Sequence, residues 1–279
     1  MHRGSVNRPE LRGAASQPLH RNLVFPFQYS PGKRMVHVVA WLSDEPGALA
    51  SLLSAVKSQV NLISTSSYSL GENTAIFSGF GEVLSESITA QSLQGVTDKL
   101  PNVSRSQIWE SKEGLLVDRF HTGFQAGIGE PYLILPARAL SETFEGIVRT
   151  FGSGGQTILY EQGLDYAKSR SGIYKRITGD HPEGRLDDLT AIVGALGYGK
   201  STATIEPSGK SLTLTSTECF ECSTPTRTGR RCQFLLGMAV GVFGALFDKD
   251  LVGEETLCRQ KGNEHCEFVL KAKDQQRLF

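Results

Sequence analysis

Met35-Val36-His37-Val38-Val39-Ala40-Trp41-Leu42, followed at once by Ser43-Asp44-Glu45-Pro46-Gly47, sets the plan of the first half of the chain. The first run is apolar and β-branched, as a buried strand requires. The turn behind it opens a helix: Asp44 is placed to cap it, and Pro46 suits a first turn. Leu49, Leu52, Leu53 and Val56 then recur at i, i+3, i+4 and i+7, which puts them on one apolar face. Working outward, Val60 to Leu70 reads as a strand, Gly71-Glu72-Asn73 as a turn and Thr74 to Val83 as a second strand. Leu93, Val96 and Leu100 mark another helix, and Val103 to Glu110 a last strand. The resulting order, β-α-β-β-α-β, is the ferredoxin-like plan.

The chain has 279 residues, enough for two domains with cores of their own. Basic and acidic residues number 29 each, so the net charge is zero and no uniformly basic surface exists for direct nucleic-acid binding. The balance is uneven along the chain. Residues 1–34 hold Arg3, Arg8, Arg12, Arg21, Lys33 and Arg34 against Glu10 alone, a net of +5. They read as a flexible basic tail with an extended apolar segment, Leu23 to Tyr29, placed to cover a sheet edge or cross to a partner. The longest uncharged apolar run, Phe234 to Phe247, has 14 residues, against about 20 for a bilayer span. No membrane span and no secretory signal are expected, and the chain reads as cytoplasmic.

The turn sharpens the first domain. Asp44-Glu45-Pro46-Gly47-Ala48-Leu49, with Val60-Asn61-Leu62-Ile63 opening the next strand, resembles the ACT domain over residues 35–110. The resemblance implies a regulatory module that takes an amino acid or similar ligand at Asp44, Glu45, Pro46, Gly47, Ala48 and Leu49, usually in a homodimer. Gly47 admits a close ligand, and free amides at a helix start suit a carboxylate. The alternative is an ACT-shaped dimerisation module without a ligand.

Residues 111–128 read as a linker, and a second domain runs from about 129 to 272, with 273–279 as a tail. Tyr132 to Leu135 reads as a short strand. Leu140, Phe144, Ile147, Val148 and Phe151 share a helix face that ends at Gly152, and Ile158 to Tyr160 is a short apolar run. Leu186, Leu189, Ile192 and Val193 mark a further helix. Thr202–Glu206 and Ser211–Thr217 flank Pro207-Ser208-Gly209 as a hairpin. Phe234 to Phe247 is a buried helix, and Leu251–Leu257 and Glu267–Leu270 are closing strands. Gly194 to Ser201 (GALGYGKS) matches a phosphate-binding loop, but that loop must lead from a strand into a helix, and here a strand follows.

Five cysteines without a secretory signal favour metal binding over a disulfide framework. Cys232, Glu255, Cys258 and Cys266, with Gly262-Asn263 turning the chain between the last two, resemble the vinyl-4-reductase family domain. Ile158-Leu159-Tyr160-Glu161-Gln162-Gly163 and Ser216-Thr217-Glu218 fit the same family. The resemblance implies zinc on Cys232, Glu255, Cys258 and Cys266 beside a pocket for a small hydrophobic or aromatic ligand. Phe144, Tyr160, Phe220, Gly237 and Gly241 are the candidate pocket residues. Three thiolates and a carboxylate make a closed, structural zinc site. Glu255 and Cys258 face opposite ways on a regular strand, so a bulge at Gly253 or a loop is required; Glu254 or His265 are the alternative fourth ligands. Cys219 and Cys222 form a separate Cys-x-x-Cys read as auxiliary.

The chain is thus expected to be an α+β protein: a ferredoxin-like ACT domain plus a second α/β domain with an antiparallel sheet and packed helices. Its expected role is regulatory sensing of small molecules, as a homodimer, with output through a protein partner or its own assembly. The alternatives are a reductase or reductase subunit acting on a vinyl group of a tetrapyrrole, and a structural or tethering dimer. Neither a nicotinamide nor a flavin fingerprint supports the reductase.

Overall fold

The computed structural model describes residues 26–125, 131–274 and 277–278. The chain divides into two compact units between Tyr132 and Leu133. Leu23–Phe25 and most of the basic tail lie outside the described residues.

The first unit comprises β1 (Phe27–Tyr29), β2 (Met35–Ser43), α1 (Ala48–Val56), β3 (Val60–Gly71), β4 (Thr74–Val83), α2 (Ala90–Thr97), β5 (Val103–Glu110), β6 (Leu115–Val117), β7 (Phe124–Gln125) and β8 (Pro131–Tyr132). Its main sheet has the order β3-β4-β2-β5, every pair antiparallel, so β4 is inserted between the two strands joined by α1. Val36, Val38, Ala40 and Leu42 point from β2 into a core with Ala48, Leu52 and Leu93 of the two helices. That alternation is the period of two that a strand imposes. Helix α1 starts one turn later than Asp44 suggests. Its N-cap is Gly47, at φ 94°, and no side chain caps it. Helix α2 carries a reciprocal capping box between Thr89 and Ser92.

The opposite face of the sheet is covered as well. The stretch read as a linker contributes β6, which pairs with β1 in a separate two-stranded sheet. The extended N-terminal segment therefore pairs within its own chain, over Phe27–Tyr29, and not on the edge of the main sheet. Leu116 of β6 packs with Met35 and Phe80. Beside them His37 is fully buried. Register places it opposite Phe80 and Trp109, and its ring stacks between theirs at 4.5 and 5.4 Å. Nε2 shares a hydrogen bond of 2.9 Å with Ser78, while Nδ1 has no hydrogen-bond partner and lies 3.9 Å from Asp118. Burial pushes the His37 pKa down to about 4, against the pull of Asp118. Although burial opposes it, hydrogen bonds from the backbone and ring of His121 and the backbone of Phe120 hold Asp118 below the usual carboxylate range.

The second unit comprises α3 (Ala137–Phe151), α4 (Ser153–Thr178), α5 (Leu186–Ala195), β9 (Ser201–Ile205), β10 (Ser211–Ser216), α6 (Gln233–Phe247), β11 (Leu251–Leu257) and β12 (Cys266–Ala272). Its antiparallel sheet has the order β11-β12-β10-β9. Apolar on all sides, α6 is enclosed between this sheet and α4. Tyr132–Leu135 is strand only at Tyr132, as part of β8. Ile158–Tyr160 lies inside α4, a helix of 26 residues. Gly194–Ser201 runs from α5 into β9, helix to strand, the reverse of a phosphate loop. Leu278, in the stretch read as a tail, is fully buried, and its N–H bonds the carbonyl of Gly209.

Candidate metal centre and ligand cavity

The loop between β10 and α6 brings the cysteines together. A single 3-10 turn, Phe220–Cys222, separates Cys219 from Cys222, whose N–H bonds the Cys219 carbonyl at 3.0 Å. A buried network holds the rest of the loop. Arg230 donates from Nη1 to the Glu221 carboxylate at 3.1 Å and from Nη2 to the Glu221 carbonyl at 2.7 Å and Ser141 Oγ at 3.0 Å. Burial pushes Glu221 up to about 8, while the Leu235 N–H and Arg230 pull it down. Glu145 of α3 accepts from the N–H groups of Arg227 and Thr228 and the hydroxyls of Thr226 and Thr228. Against the cost of burial, these bonds hold its carboxyl below the usual range. The loop ends at Cys232, the N-cap of α6.

The remaining donors come from β11 and β12. Pairing shifts register between Glu255 and Leu257, a bulge at Thr256 and not at Gly253. It turns Glu255 to the side on which Cys258 emerges. Gly253 has a different task, since a Cβ there would meet Leu270, Leu236 and Val240 within 2.8 Å. Cys232, Glu255, Cys258 and Cys266 are all buried, with one ligand atom from each within 4.8 Å of the others. Cys232 Sγ is 3.9 Å from Cys258 Sγ and 3.8 Å from Cys266 Sγ. Thiolates on a tetrahedral ion at 2.3 Å are about 3.8 Å apart, so these donors fit zinc. The Cys232 N–H bonds Glu255 Oε2 at 3.2 Å, while Oε1, buried, has no partner. Glu254 is exposed, and His265 is in neither donor group.

Cys219 and Cys222 are not separate. Their sulfurs lie 3.5 and 3.3 Å from Cys232 Sγ, and Cys222 is 3.5 Å from Cys266. Sequence spacing did not signal this, because the stretch between Cys222 and Cys232 has no periodicity from which to place one against the other.

The expected pocket residues do not surround a space. Phe144 and Phe220 pack with Phe234 and Leu159 in a filled cluster, the three aromatic rings 5.3–6.0 Å apart. Gly237 and Gly241 face α4. A Cβ on Gly237 would strike the Tyr160 carbonyl, and one on Gly241 would come within 2.6 Å of Ala167 Cβ. With Gly163 opposite, these glycines let two helix backbones touch. A cavity lies at another face of α6, lined by Met238, Val242 and Phe243 with Tyr174 of α4, Leu189 and Val193 of α5, and Leu214 of β10. Its volume is about 30 Å³.

In the first unit Asp44, Glu45, Pro46 and Gly47 are exposed around the start of α1, Leu49 is half-buried and Ala48 is buried. The Asp44 N–H bonds the Asn73 carbonyl, tying this turn to the β3–β4 turn.

Comparison with known proteins gives the second unit its class: residues 212–272 match the vinyl-4-reductase domain. Solved structures similar to the chain include the phenol-responsive sensory domain of the transcription activator PoxR with phenol. It is 18% identical, with a TM-score of 0.44, over 59% of this chain and 83% of that one. Trafficking protein particle complex subunit 3 from Naegleria fowleri, covalently bound to palmitic acid, is 11% identical, with a TM-score of 0.41, over 51% and 97%. A vinyl-4-reductase family protein from Methanocaldococcus jannaschii is 17% identical, with a TM-score of 0.36, over 50% and 83%. No curated protein matches the chain. Among the described residues no helix is long and apolar enough to cross a membrane.

Proposed function

We propose that the chain is a regulatory sensor whose second unit, the one with the vinyl-4-reductase domain, takes up a small hydrophobic or aromatic molecule. The observation that carries this reading is the cavity beside α6, walled by apolar side chains from three helices and a strand. At about 30 Å³ it holds roughly one water, whereas a cavity that binds benzene measures about 150 Å³. Ligand entry therefore requires α5 or the flexible side chain of Met238 to move, and that displacement is the signal. Zinc on Cys232, Glu255, Cys258 and Cys266 fastens the β11–β12 hairpin to the start of α6 and keeps the opposite wall fixed.

The first unit is proposed as an ACT-type, ferredoxin-like module. It takes an amino acid or similar carboxylate at Asp44–Leu49, where uncapped amides open α1 beside an exposed turn. Homodimerisation covers an open edge strand, β3 or β5, of its sheet.

The test is a thermal-shift screen of phenols and other small aromatics on the full chain. A binder at a hundredfold excess over its Kd stabilises the second unit by about 2.7 kcal/mol. Ala239→Leu, which fills the cavity, removes the shift and leaves the metal content intact. An absence of shifts across the screen overturns the sensor reading, and so does chemical turnover of a bound compound.

A further inference from the structure

Five thiols and a carboxylate converge where one tetrahedral ion uses four donors. They fall into two groups, each with ligand atoms within 4.8 Å of one another: Cys219, Cys222, Cys232 and Cys266, and Cys232, Glu255, Cys258 and Cys266. The groups share Cys232 and Cys266. Cys232 Sγ lies 3.3–3.9 Å from all four other sulfurs, the position a bridging thiolate occupies between two ions. We infer that this is a two-ion centre. Cys232 and Cys266 bridge, Cys219 and Cys222 complete one thiophilic divalent ion, and Cys258 and Glu255 complete the other. The inference rests on the zinc reading of the second group and adds a second site to it.

Charge argues for the second ion. Fully ionised, the six donors carry −6 in a buried place. One divalent ion leaves −4, whereas two leave −2, the residual charge of an ordinary four-thiolate zinc site. The local folds suit the division. Cys219 and Cys222 sit on either side of one tight turn, a common zinc half-site spacing. Cys258 and Cys266 flank a turn at Gly262, whose φ of 88° closes it. All five cysteines are free of disulfides. The Arg259 N–H points at Cys266 Sγ at 3.4 Å, as outer donors do around metal thiolates. Glu255 is 2% exposed, and its Oε1 has no hydrogen-bond partner. A cation supplies what that oxygen lacks.

The full chain, purified under reducing conditions without chelator and loaded with zinc, is weighed by native mass spectrometry and measured by zinc-edge X-ray absorption. Two zinc ions per chain with zinc–zinc scattering are expected. The double variant Cys219→Ser, Cys222→Ser is expected to hold one and to lose that scattering. One ion in the wild-type chain overturns the inference and leaves the single-zinc reading standing; no ion overturns both. A double variant that keeps two ions also overturns it. Should that variant fail to fold, the wild-type count and scattering decide alone.

Discussion

The two units bury polarity in opposite ways. In the first, His37 is sealed between two rings with one hydrogen bond, and burial keeps it neutral. In the second, Glu145, Glu221, Arg230, Glu255 and the thiols are packed into one loop and the elements it touches. A neutral ring in a sheet core is satisfied by its own neighbours. A concentration of acidic donors needs a counter-charge to stay buried. The first unit thus carries within its chain all that its core requires, and the second depends on what it binds.

Removing the metal tests this contrast most strongly. Structural zinc contributes on the order of 10 kcal/mol to folding in small domains, so a chelator is expected to melt the second unit and leave the first folded. Trp41 and Trp109 both lie in the first unit, so tryptophan fluorescence follows it alone while circular dichroism follows both. Simultaneous loss of both signals breaks the comparison. Next in size, Glu145→Ala strips four hydrogen bonds from Thr226, Arg227 and Thr228 and removes an acidic neighbour 3.6 Å from Arg230. The expected cost is about 3–5 kcal/mol, read by urea denaturation of the second unit.

Acid tests the first unit. The folded pKa of His37, about 4, lies below the ordinary histidine value of 6.5. Between these values the unfolded chain binds a proton that the native one refuses. Stability is therefore complete above pH 6.5 and falls as pH drops to 4, by about 2–3 kcal/mol. Trp109, stacked on His37, reports the transition, and His37→Phe should flatten the dependence. The smallest effect belongs to Thr89→Ala, which opens the capping box of α2 and costs the first unit about 1 kcal/mol by the same fluorescence measurement.

Where side-chain periodicity carries information, sequence and structure agree closely. The two strands and helix from Met35 to Leu70, the hairpin on either side of Pro207 and the buried helix at 234–247 all follow from it. The failures share a cause. Gly237 and Gly241 are four apart whether the space they leave admits a ligand or another backbone, and only α4 decides. Because α6 is apolar all round, its sequence does not distinguish the face that meets a cavity from the face that meets a helix. Within α4 itself, Gly154, Gly155 and Gly163 interrupt the apolar pattern, so only Ile158–Tyr160 stands out from a 26-residue helix. The bulge at Thr256 was required by the spacing of Glu255 and Cys258, but its position was not, because Gly253 was the more conspicuous residue.

The short pairing of β1 with β6 has a mechanical consequence. Phe27 lies opposite Val117 and Tyr29 opposite Leu115, so the chain enters and leaves this clasp at the same end. The strands beneath it repeat the arrangement, with Val36 opposite Glu110 and Leu42 opposite Val103. A tension applied to the two flanks of the first unit loads the rungs one after another, not all together in shear. The unit should peel open from Phe27 and Val117 inward at low force, exposing the ring-stacked His37 before the helices on the far side of the sheet are disturbed.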